Sequence, residues 1–292
     1  MTRPFEKIHL IINPAAGADV PVLSILNTVF QRHGLLDWQV SLTHRTGDGT
    51  RLTQAALAQG ADLIAVYGGD GTLMEVANGL LGTDVPLGIL PGGTGNAMAF
   101  ELNIPRVLED AAELLCYSTN RRRIDMAQIG GQAFMLRAYT GLRVGQQASR
   151  EMKERFGLLA YPIATMQMLA DPEYATFRLT IDGQPFTGEG VSCVILNGES
   201  LGGIDFFLDS MVQVDDGLLD VFIINNDIQS LISMADEFLN LGLFERTVPH
   251  WQGRVITIES NPPQTVWLDG EMFGPTPVTI TTLPQVLRVV VP

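Results

Sequence analysis

The sequence DLIAVYGGDGTLMEVANGLLGTDVPLGILPGGTGN occupies residues 62–96 and decides the fold. An apolar run at 63–67 stops at a pair of glycines, and apolar residues then recur at helical spacing from Leu73 to Leu81. A second apolar run at 87–90 ends in another glycine-rich turn. The pattern predicts strand, turn and helix, then a second strand and turn, with both turns at one edge of a parallel sheet.

Glycine-rich turns of this kind are suited to binding phosphate. Glycine permits positive φ and a close approach of the backbone to a ligand, and the free N–H groups that begin a helix favour an anion. Asp70 stands out, because a carboxylate repels phosphates unless a cation or a hydroxyl donor lies between them. The alternative is a tight turn whose aspartate only caps the helix. Two such turns, carrying Thr and Asn in matching places, favour phosphate binding.

The segments GGDGTLMEVANGL and PGGTGNAMA resemble the nucleotide-binding core of the diacylglycerol kinase catalytic-domain family. That family includes bacterial lipid kinases and the sphingosine and ceramide kinases, and it is distantly similar to NAD kinases and phosphofructokinases. The resemblance covers nearly the whole chain and is strongest in residues 8–105. This chain departs from the family at Met74, where Asn is usual, and at residues 135–139, which read MLRAY where Asn and small residues are common.

Composition restricts the classes of function. A chain of 292 residues, 46% apolar and 17% charged, is globular and has one large or two ordinary domains. Its net charge of −14 argues against nucleic acid as a partner and against strong adhesion to anionic membranes. Cys116 and Cys193 are expected to be small core residues. The N-terminus has no apolar run typical of signal peptides and the longest apolar helical stretch, 156–170, is too short to span a bilayer, so a cytoplasmic protein is expected.

The first half of the chain alternates strands with helices. Strands are predicted over 7–12 and 38–43, and helices over 20–33, 50–59 and 106–118. This βαβαβ order predicts an α/β domain with a doubly wound, mainly parallel sheet and a ligand site at the carboxyl ends of its strands. The resemblance implies the same fold, similar to NAD kinase and phosphofructokinase.

From Ile124 onward, short alternating segments separated by Asp-Gly turns predict an antiparallel, β-rich sandwich. Two helices, over 149–169 and 228–243, interrupt it. We therefore expect a nucleotide-binding domain at 1–124 and a lipid-acceptor domain at 125–284, with residues 285–292 returning to complete the first domain as they do in the family. The arginines at 121–123 are expected to be solvated charges in an exposed loop. Residues 156–161 are expected to pack in the core or to line an acyl-chain cleft.

The resemblance implies that ATP is bound by loops that follow the predicted strands. Each loop also has a plainer interpretation as a turn, since Asn, Pro and Gly favour turns. The residues assigned to the nucleotide are Asn13, Gly17, Thr43, Gly68, Gly69, Asp70, Gly71, Thr72, Thr94 and Asn96.

Asp215-Asp216-Gly217 precedes a predicted strand, and such a sequence is usually a hairpin turn. The resemblance implies instead a structural Mg²⁺, held by the Asp216 carboxylate and the backbone carbonyls of Gln213 and Leu218. Oxygen ligands suit this hard cation.

Asp269-Gly270-Glu271 is again consistent with a simple turn, but it matches a family signature that faces the nucleotide loops across the interdomain cleft. Phosphoryl transfer needs a group that orients or deprotonates the acceptor hydroxyl. The resemblance favours Glu271 as proton acceptor and Asp269 as support for Mg²⁺ or the base, with the order between the two left open. Asp70 is expected to join them through Mg²⁺-bound water.

The expected function is an ATP- and Mg²⁺-dependent lipid kinase that phosphorylates diacylglycerol or a related glycerolipid, with a sphingoid base next in order. An NAD kinase and a catalytically silent lipid- or nucleotide-binding regulator are the alternatives. The expected partner is a lipid at the inner membrane face, contacted peripherally and transiently, and a homodimer is left open.

Overall fold

The computed structural model describes residues 4–17, 20–35, 37–141, 174–198, 212–225 and 249–292. Within those ranges the chain forms five helices and sixteen strands. The helices are α1 Val22–Arg32, α2 Asp48–Ala58, α3 Asp70–Leu80, α4 Ala97–Glu101 and α5 Leu108–Tyr117. The strands are β1 Ile8–Ile12, β2 Trp38–Leu42, β3 Leu63–Gly68, β4 Leu87–Pro91, β5 Arg121–Ile129, β6 Gln132–Phe134, β7 Arg137–Thr140, β8 Ala175–Ile181, β9 Gln184–Gly190, β10 Ser192–Leu196, β11 Leu219–Ile224, β12 His250–Gly253, β13 Val255–Asn261, β14 Thr265–Leu268, β15 Glu271–Pro275 and β16 Val278–Val290.

The first four strands lie in the order β2-β1-β3-β4, and every pairing among them is parallel. All residues of β1 and β3 are buried, as expected for strands that are covered on both faces. Helix α1 packs against α5, and α2 packs against α3. The predicted doubly wound, mainly parallel sheet is therefore confirmed.

The second half of the chain is antiparallel. Strands β16, β13, β8 and β9 extend the first sheet, while β12-β11-β10-β7-β14-β15 form a second sheet. Alternate residues of β8 are buried, and Phe177, Ile195 and Ile256 belong to one hydrophobic core. The predicted β-rich sandwich is confirmed. Its residues alternate between apolar and polar because one face of each strand packs in the core and the other faces solvent.

Strand β16 runs through both parts of the fold. Ile280 pairs with Ile256 in β13, whereas Val289 pairs in parallel with Leu87 of β4. The end of the chain thus lies beside the first domain, where its return was expected. The predicted boundary near Asp125 lies inside β5, and the one at 284/285 lies inside β16, at an irregularity in its pairing with β5. Both boundaries stay predictions.

The prediction for the three adjacent arginines is wrong. Residues 121–123 begin β5 and are not in an exposed loop. Arg122 donates to Asp215 over 2.8 Å, and Arg123 forms an ion pair with Asp84. The paired carboxylates neutralise the charges of these side chains, so the arginines can lie on a strand. The residue types alone do not show that such partners are present.

The two cysteines lie in apolar surroundings. Cys193 is buried and Cys116 is half-buried. Burial raises the thiol pKa of Cys193 to about 12 and that of Cys116 to about 11.

The helices expected over 149–169 and 228–243, and the segment 156–161, lie outside the described residues. In the parts of the chain that are described, no helix is long and apolar enough to cross a membrane.

Candidate active site

The loops assigned to the nucleotide all lie at the carboxyl edge of the parallel strands. Two of them are joined directly, because the Nδ2 atom of Asn13 donates to the Oγ1 atom of Thr72 over 3.0 Å. The Oδ1 atom of Asn13 accepts the N–H of Ala15 and shapes its own loop. Thr43, which follows β2, is buried and donates its N–H to the carbonyl of Ile12.

The two glycine-rich turns contact each other through their backbones. A Cβ atom on Gly93 would lie 2.5 Å from the Cα atom of Gly69, so no side chain fits there. Gly17 has a φ of +82°, and a Cβ atom on it would lie 3.0 Å from the carbonyl oxygen of Gly92. Glycine is therefore needed here chiefly for close approach between loops.

The first turn does not use the positive φ that glycine permits. The φ angle of Gly69 is −89°, and neither Gly68 nor Gly71 has a positive φ. In the second turn the left-handed residue is Asn96, with a φ of 52°. Asparagine tolerates that conformation because its short polar side chain can bond to the nearby backbone.

Asn96 uses its side-chain amide to close its own turn. Its Oδ1 atom accepts the N–H of Gly93 over 2.8 Å, and its Nδ2 atom donates to the carbonyl of Gly93 over 2.7 Å. The neighbouring Thr94 is exposed. In this turn the free hydroxyl of Thr94 is therefore more available to a ligand than the Asn96 amide.

Gly71 differs from the other glycines of the site. It is exposed, and a Cβ atom on it would meet no atom within 4 Å. It lies in the first turn of α3, where backbone N–H groups have no partner within the helix. The space in front of these N–H groups is open to an anion.

Glu75 organises the neighbouring loop and was missed by the sequence analysis. Its Oε1 and Oε2 atoms each accept a backbone N–H over 2.8 Å, from Gly47 and Gly49 respectively. Those groups begin helix α2, and a negative charge at a helix N-terminus is stabilising. No local pattern reveals this role, because Glu75 lies on a different helix, 26 residues from the nearer glycine.

Asp70 is the first residue of α3 and is half-buried. Its Oδ1 atom is buried and has no hydrogen-bond partner among the described residues. Burial raises the pKa of its carboxyl group, while the N–H groups of residues 96–98 act in the opposite direction. The cap position belongs to Gly69, without a side-chain bond, so the alternative that Asp70 only caps the helix is wrong. A cation would satisfy the unpaired oxygen.

Met74 replaces the asparagine that is usual in the family, and the structure shows what the methionine side chain contacts. Its side chain packs against the core of the parallel-sheet domain and also against the core of the sandwich. The departure therefore exchanges a polar side chain for an apolar contact between the two halves of the fold.

Asp269 lies in the turn between β14 and β15 and anchors it. The carboxylate accepts the N–H groups of Met135 over 2.9 Å, Leu136 over 3.2 Å and Arg137 over 2.8 Å. Burial raises the pKa of Asp269, and these bonds together with the charge of Arg137 oppose the rise. Both of its oxygens are thus occupied, and its catalytic role stays a prediction.

Arg137 connects the two acidic turns. Burial raises the pKa values of Asp70 and Asp269, and the positive charge of Arg137 opposes both rises, so one guanidinium lies within electrostatic reach of both carboxylates. Glu271 begins β15, directly after this turn, and is exposed. The Asp-Gly-Glu segment and the glycine-rich turns therefore border the same part of the molecule.

The residues expected to hold a structural Mg²⁺ form a separate turn. Asp216 is exposed, and its Oδ1 atom accepts the N–H of Leu218 over 2.8 Å. One carboxylate and the carbonyls of Gln213 and Leu218 are oxygen donors that suit Mg²⁺. Within the described ranges no three His, Cys, Asp or Glu side chains are grouped so as to hold a metal ion. The donor types fit the ion, and the site stays a prediction.

Asp125, which the sequence analysis did not single out, fastens this turn to the end of the fold. Its buried carboxylate accepts the N–H groups of Gly217 and Gln285, each over 2.6 Å. Burial raises its pKa, as do the nearby charges of Asp215 and Asp216, against the effect of these two bonds.

Comparisons with known proteins agree with this arrangement. The family model described as "Diacylglycerol kinase catalytic domain" matches residues 7–129, and the model described as "YegS C-terminal NAD kinase beta sandwich-like domain" matches residues 138–291. A Staphylococcus haemolyticus protein named "Putative lipid kinase SH2167" is 31% identical over 248 residues, covering 82% of this chain and 79% of that protein. A Synechocystis protein named "Uncharacterized protein sll0036" is 28% identical over 306 residues, covering 97% of this chain and 70% of that protein.

Solved structures include the "Crystal structure of a putative diacylglycerol kinase from Bacillus anthracis str. Sterne". It superposes with a TM-score of 0.84 and 30% sequence identity, covering 99% of this chain and 98% of that one. Another Bacillus anthracis structure with a similar description reaches 32% identity and a TM-score of 0.83, with the same coverage. Together, the two matching family models, the relatives and the superposed structures show that the chain belongs to the diacylglycerol kinase catalytic-domain family.

Proposed function

We propose that this protein transfers the γ-phosphoryl group of ATP to a hydroxyl group of a membrane lipid, most simply diacylglycerol or a related glycerolipid. Membership of a kinase family implies the use of ATP. The observation that carries the proposal is the buried, unpaired Oδ1 atom of Asp70, placed where two glycine-rich turns meet. A carboxylate left without a partner at a phosphate-binding edge is suited to a cation that accompanies the phosphates.

The nucleotide phosphates would lie against the exposed start of α3. Gly71 leaves open space there, and the unpaired N–H groups of the helix favour negative charge. Mg²⁺, when bound, would neutralise charge on the phosphate oxygens, and Asp70 is the residue of this chain that would hold it.

Glu271 would accept the proton of the lipid hydroxyl. The carboxylate is exposed, so a substrate can reach it, and the adjacent turn is held in place by the bonds of Asp269 to residues 135–137. As the acceptor oxygen forms its bond to phosphorus, the bond to ADP breaks and the hydroxyl proton passes to Glu271. A base on an anchored turn needs little reorganisation during the reaction.

The lipid acceptor would be met at the inner membrane face. Because the net charge is −14, strong electrostatic adhesion to anionic lipids is not expected, and contact would be peripheral and transient. Whether the protein forms a homodimer is left open.

The test is incubation of the protein with labelled ATP and a total lipid extract in mixed micelles, followed by identification of the labelled product. A labelled glycerolipid phosphate that fails to form with Glu271→Gln supports the proposal. Label appearing on NAD, supplied in a parallel reaction, would identify a different kinase. Nucleotide binding without any labelled product would identify a silent regulator.

A further inference from the structure

Arg137 has a rigid backbone setting. It begins β7, and its Cα atom lies opposite that of Leu196 in β10. Its N–H donates to Asp269 over 2.8 Å, and its carbonyl accepts the N–H of Asp269 over 2.9 Å. The side chain therefore extends from a fixed point on the second sheet.

The guanidinium of Arg137 is incompletely satisfied. Its Nη1 atom is buried and finds no hydrogen-bond partner in the described parts of the chain. A buried donor without a partner destabilises a protein, and more so when it is charged. Such a group is retained at a site when a ligand supplies the missing acceptor.

The counterpart of this donor is Asp70. Its Oδ1 atom is likewise buried and unpaired in the same set of residues, and the charge of Arg137 reaches it. The Nη1 atom of Arg137 and the Oδ1 atom of Asp70 are not bonded to each other, and each lacks a partner. A ligand that offers an acceptor oxygen to the Nη1 atom of Arg137 and carries a cation next to the Oδ1 atom of Asp70 would satisfy both atoms.

We propose that Arg137 binds the transferred phosphoryl group, by donating from Nη1 to one of its non-bridging oxygens. This inference rests on the proposed function. A phosphoryl group with its bound cation offers oxygens to Arg137 and positive charge to Asp70. Asp269 does not compete for the guanidinium through a free oxygen, because backbone N–H groups already occupy both of its oxygens.

The chemistry gives this contact a role in turnover as well as in binding. During transfer, negative charge is spread over the three equatorial oxygens of the phosphoryl group. A guanidinium is always charged and presents its donors in a fixed plane, which suits it to that distribution. The bond to ADP breaks as the bond to the acceptor oxygen forms, the proton goes to Glu271, and Arg137 keeps its own protons throughout.

Arg137 belongs to the segment 135–139, where this chain departs from the pattern common in the family. Its role therefore cannot be carried over from relatives and rests on the contacts described here. The departure adds a positive charge that acts on the Asp70 carboxylate, while the backbone of the same segment holds Asp269 in place.

The test compares binding of ADP with binding of a non-hydrolysable ATP analogue, both with Mg²⁺, by calorimetry. The variants are Arg137→Gln and Arg137→Lys, with Arg178→Gln as the matched control, an exposed arginine on β8. Arg137→Gln should weaken binding of the analogue about 10- to 100-fold, the value of a charge-assisted hydrogen bond, and leave ADP binding within about twofold. Arg137→Lys should recover part of the loss, and Arg178→Gln should match the parent.

An unchanged ratio of ADP to analogue affinity in Arg137→Gln would overturn the inference and leave the proposed function intact. If Arg137→Gln fails to fold, Arg137→Lys decides, since its ratio of ADP affinity to analogue affinity should still rise above that of the parent. Glycerol 3-phosphate provides a second arm, because it carries a lipid-type phosphate without a nucleotide. Loss of glycerol 3-phosphate binding alone would assign Arg137 to the lipid and overturn the inference. A parent protein that binds neither nucleotide would overturn both the inference and the proposed function.

Discussion

Two Asp-Gly dipeptides of this chain, at Asp70 and at Asp269, differ in how completely their carboxylates are hydrogen-bonded, although backbone N–H groups reach both. Asp269 accepts three backbone N–H groups, and both of its oxygens are occupied. Asp70 leaves its Oδ1 atom buried and unpaired within the described structure. The same dipeptide thus has both carboxylate oxygens bonded in one place and one oxygen left unpaired in the other, where we propose that a ligand binds. Hydrogen bonding, and not the motif, separates the two roles.

The largest effect should come from Asp70→Asn. Asparagine keeps the shape of the side chain but cannot neutralise a cation, so transition-state charge on the phosphates loses its support. We expect lipid-dependent ATP turnover to fall about 10²- to 10⁴-fold with the fold retained. Steady-state kinetics over a range of Mg²⁺ concentrations would check this, and near-parent turnover at ordinary Mg²⁺ would show that Asp70 is not part of the reaction.

Glu271→Gln should have the next largest effect and would sharpen the distinction within the Asp-Gly-Glu turn. Glutamine retains hydrogen bonding but accepts no proton, so kcat should fall by about 10²-fold or more, the usual value of a general base. ATP affinity should remain close to that of the parent, because in the proposed mechanism Glu271 contacts the acceptor and not the nucleotide. A dead Asp269→Asn together with an active Glu271→Gln would reverse the roles.

Much of this arrangement follows from local pattern. Apolar periodicity and the two glycine-rich turns predict the parallel sheet and the loops at its carboxyl edge, because both depend on residues close in sequence. The contact between Gly69 and Gly93 could not be predicted, since it depends on how two strands are placed side by side. Local pattern also does not show that these glycines serve close packing and not positive φ.

The division of labour among the acidic residues could not be predicted either. The three N–H donors of Asp269 lie more than 130 residues earlier in the chain. Glu75 and Asp125 likewise hold backbone groups from distant segments. Sequence identifies carboxylates in turns, but only tertiary structure shows which oxygens are already bonded.

A substitution at Gly71 should have a smaller effect, which is limited to ATP binding. Gly71→Val adds a side chain at a position where a Cβ atom would meet no atom of another part of the fold within 4 Å, so the fold should tolerate it while phosphates are excluded. We expect ATP to bind at least about tenfold more weakly. Gly274→Val is the matched control, because Gly274 also has open space around its Cβ position and lies on β15. Equal ATP affinity in both variants by calorimetry would remove the phosphates from this face of α3.

The pH dependence of stability gives the smallest expected effect. The folded-state pKa of Asp70 lies above its ordinary value of 3.8, so the folded state keeps a proton that the unfolded state releases as the pH rises. As the pH rises from 3.8 to the folded-state pKa, the Asp70 carboxyl group therefore lowers the free energy of unfolding of the parent. Asp70→Asn lacks this loss. The stability advantage of the variant should grow through that interval and then level off in urea titrations. A constant difference at every pH would contradict the raised pKa.

The most direct test of the contrast is the free energy of unfolding of Asp70→Asn and Asp269→Asn, measured side by side at neutral pH. In Asp70→Asn the amide nitrogen can occupy the position of the unpaired oxygen, so the variant should be at least as stable as the parent. In Asp269→Asn the amide nitrogen must face a backbone N–H whichever way it turns, and stability should fall by about 1–3 kcal/mol. Equal losses in the two variants, or a loss in Asp70→Asn alone, would contradict the assignment of Asp70 as the open ligand position and Asp269 as the anchor.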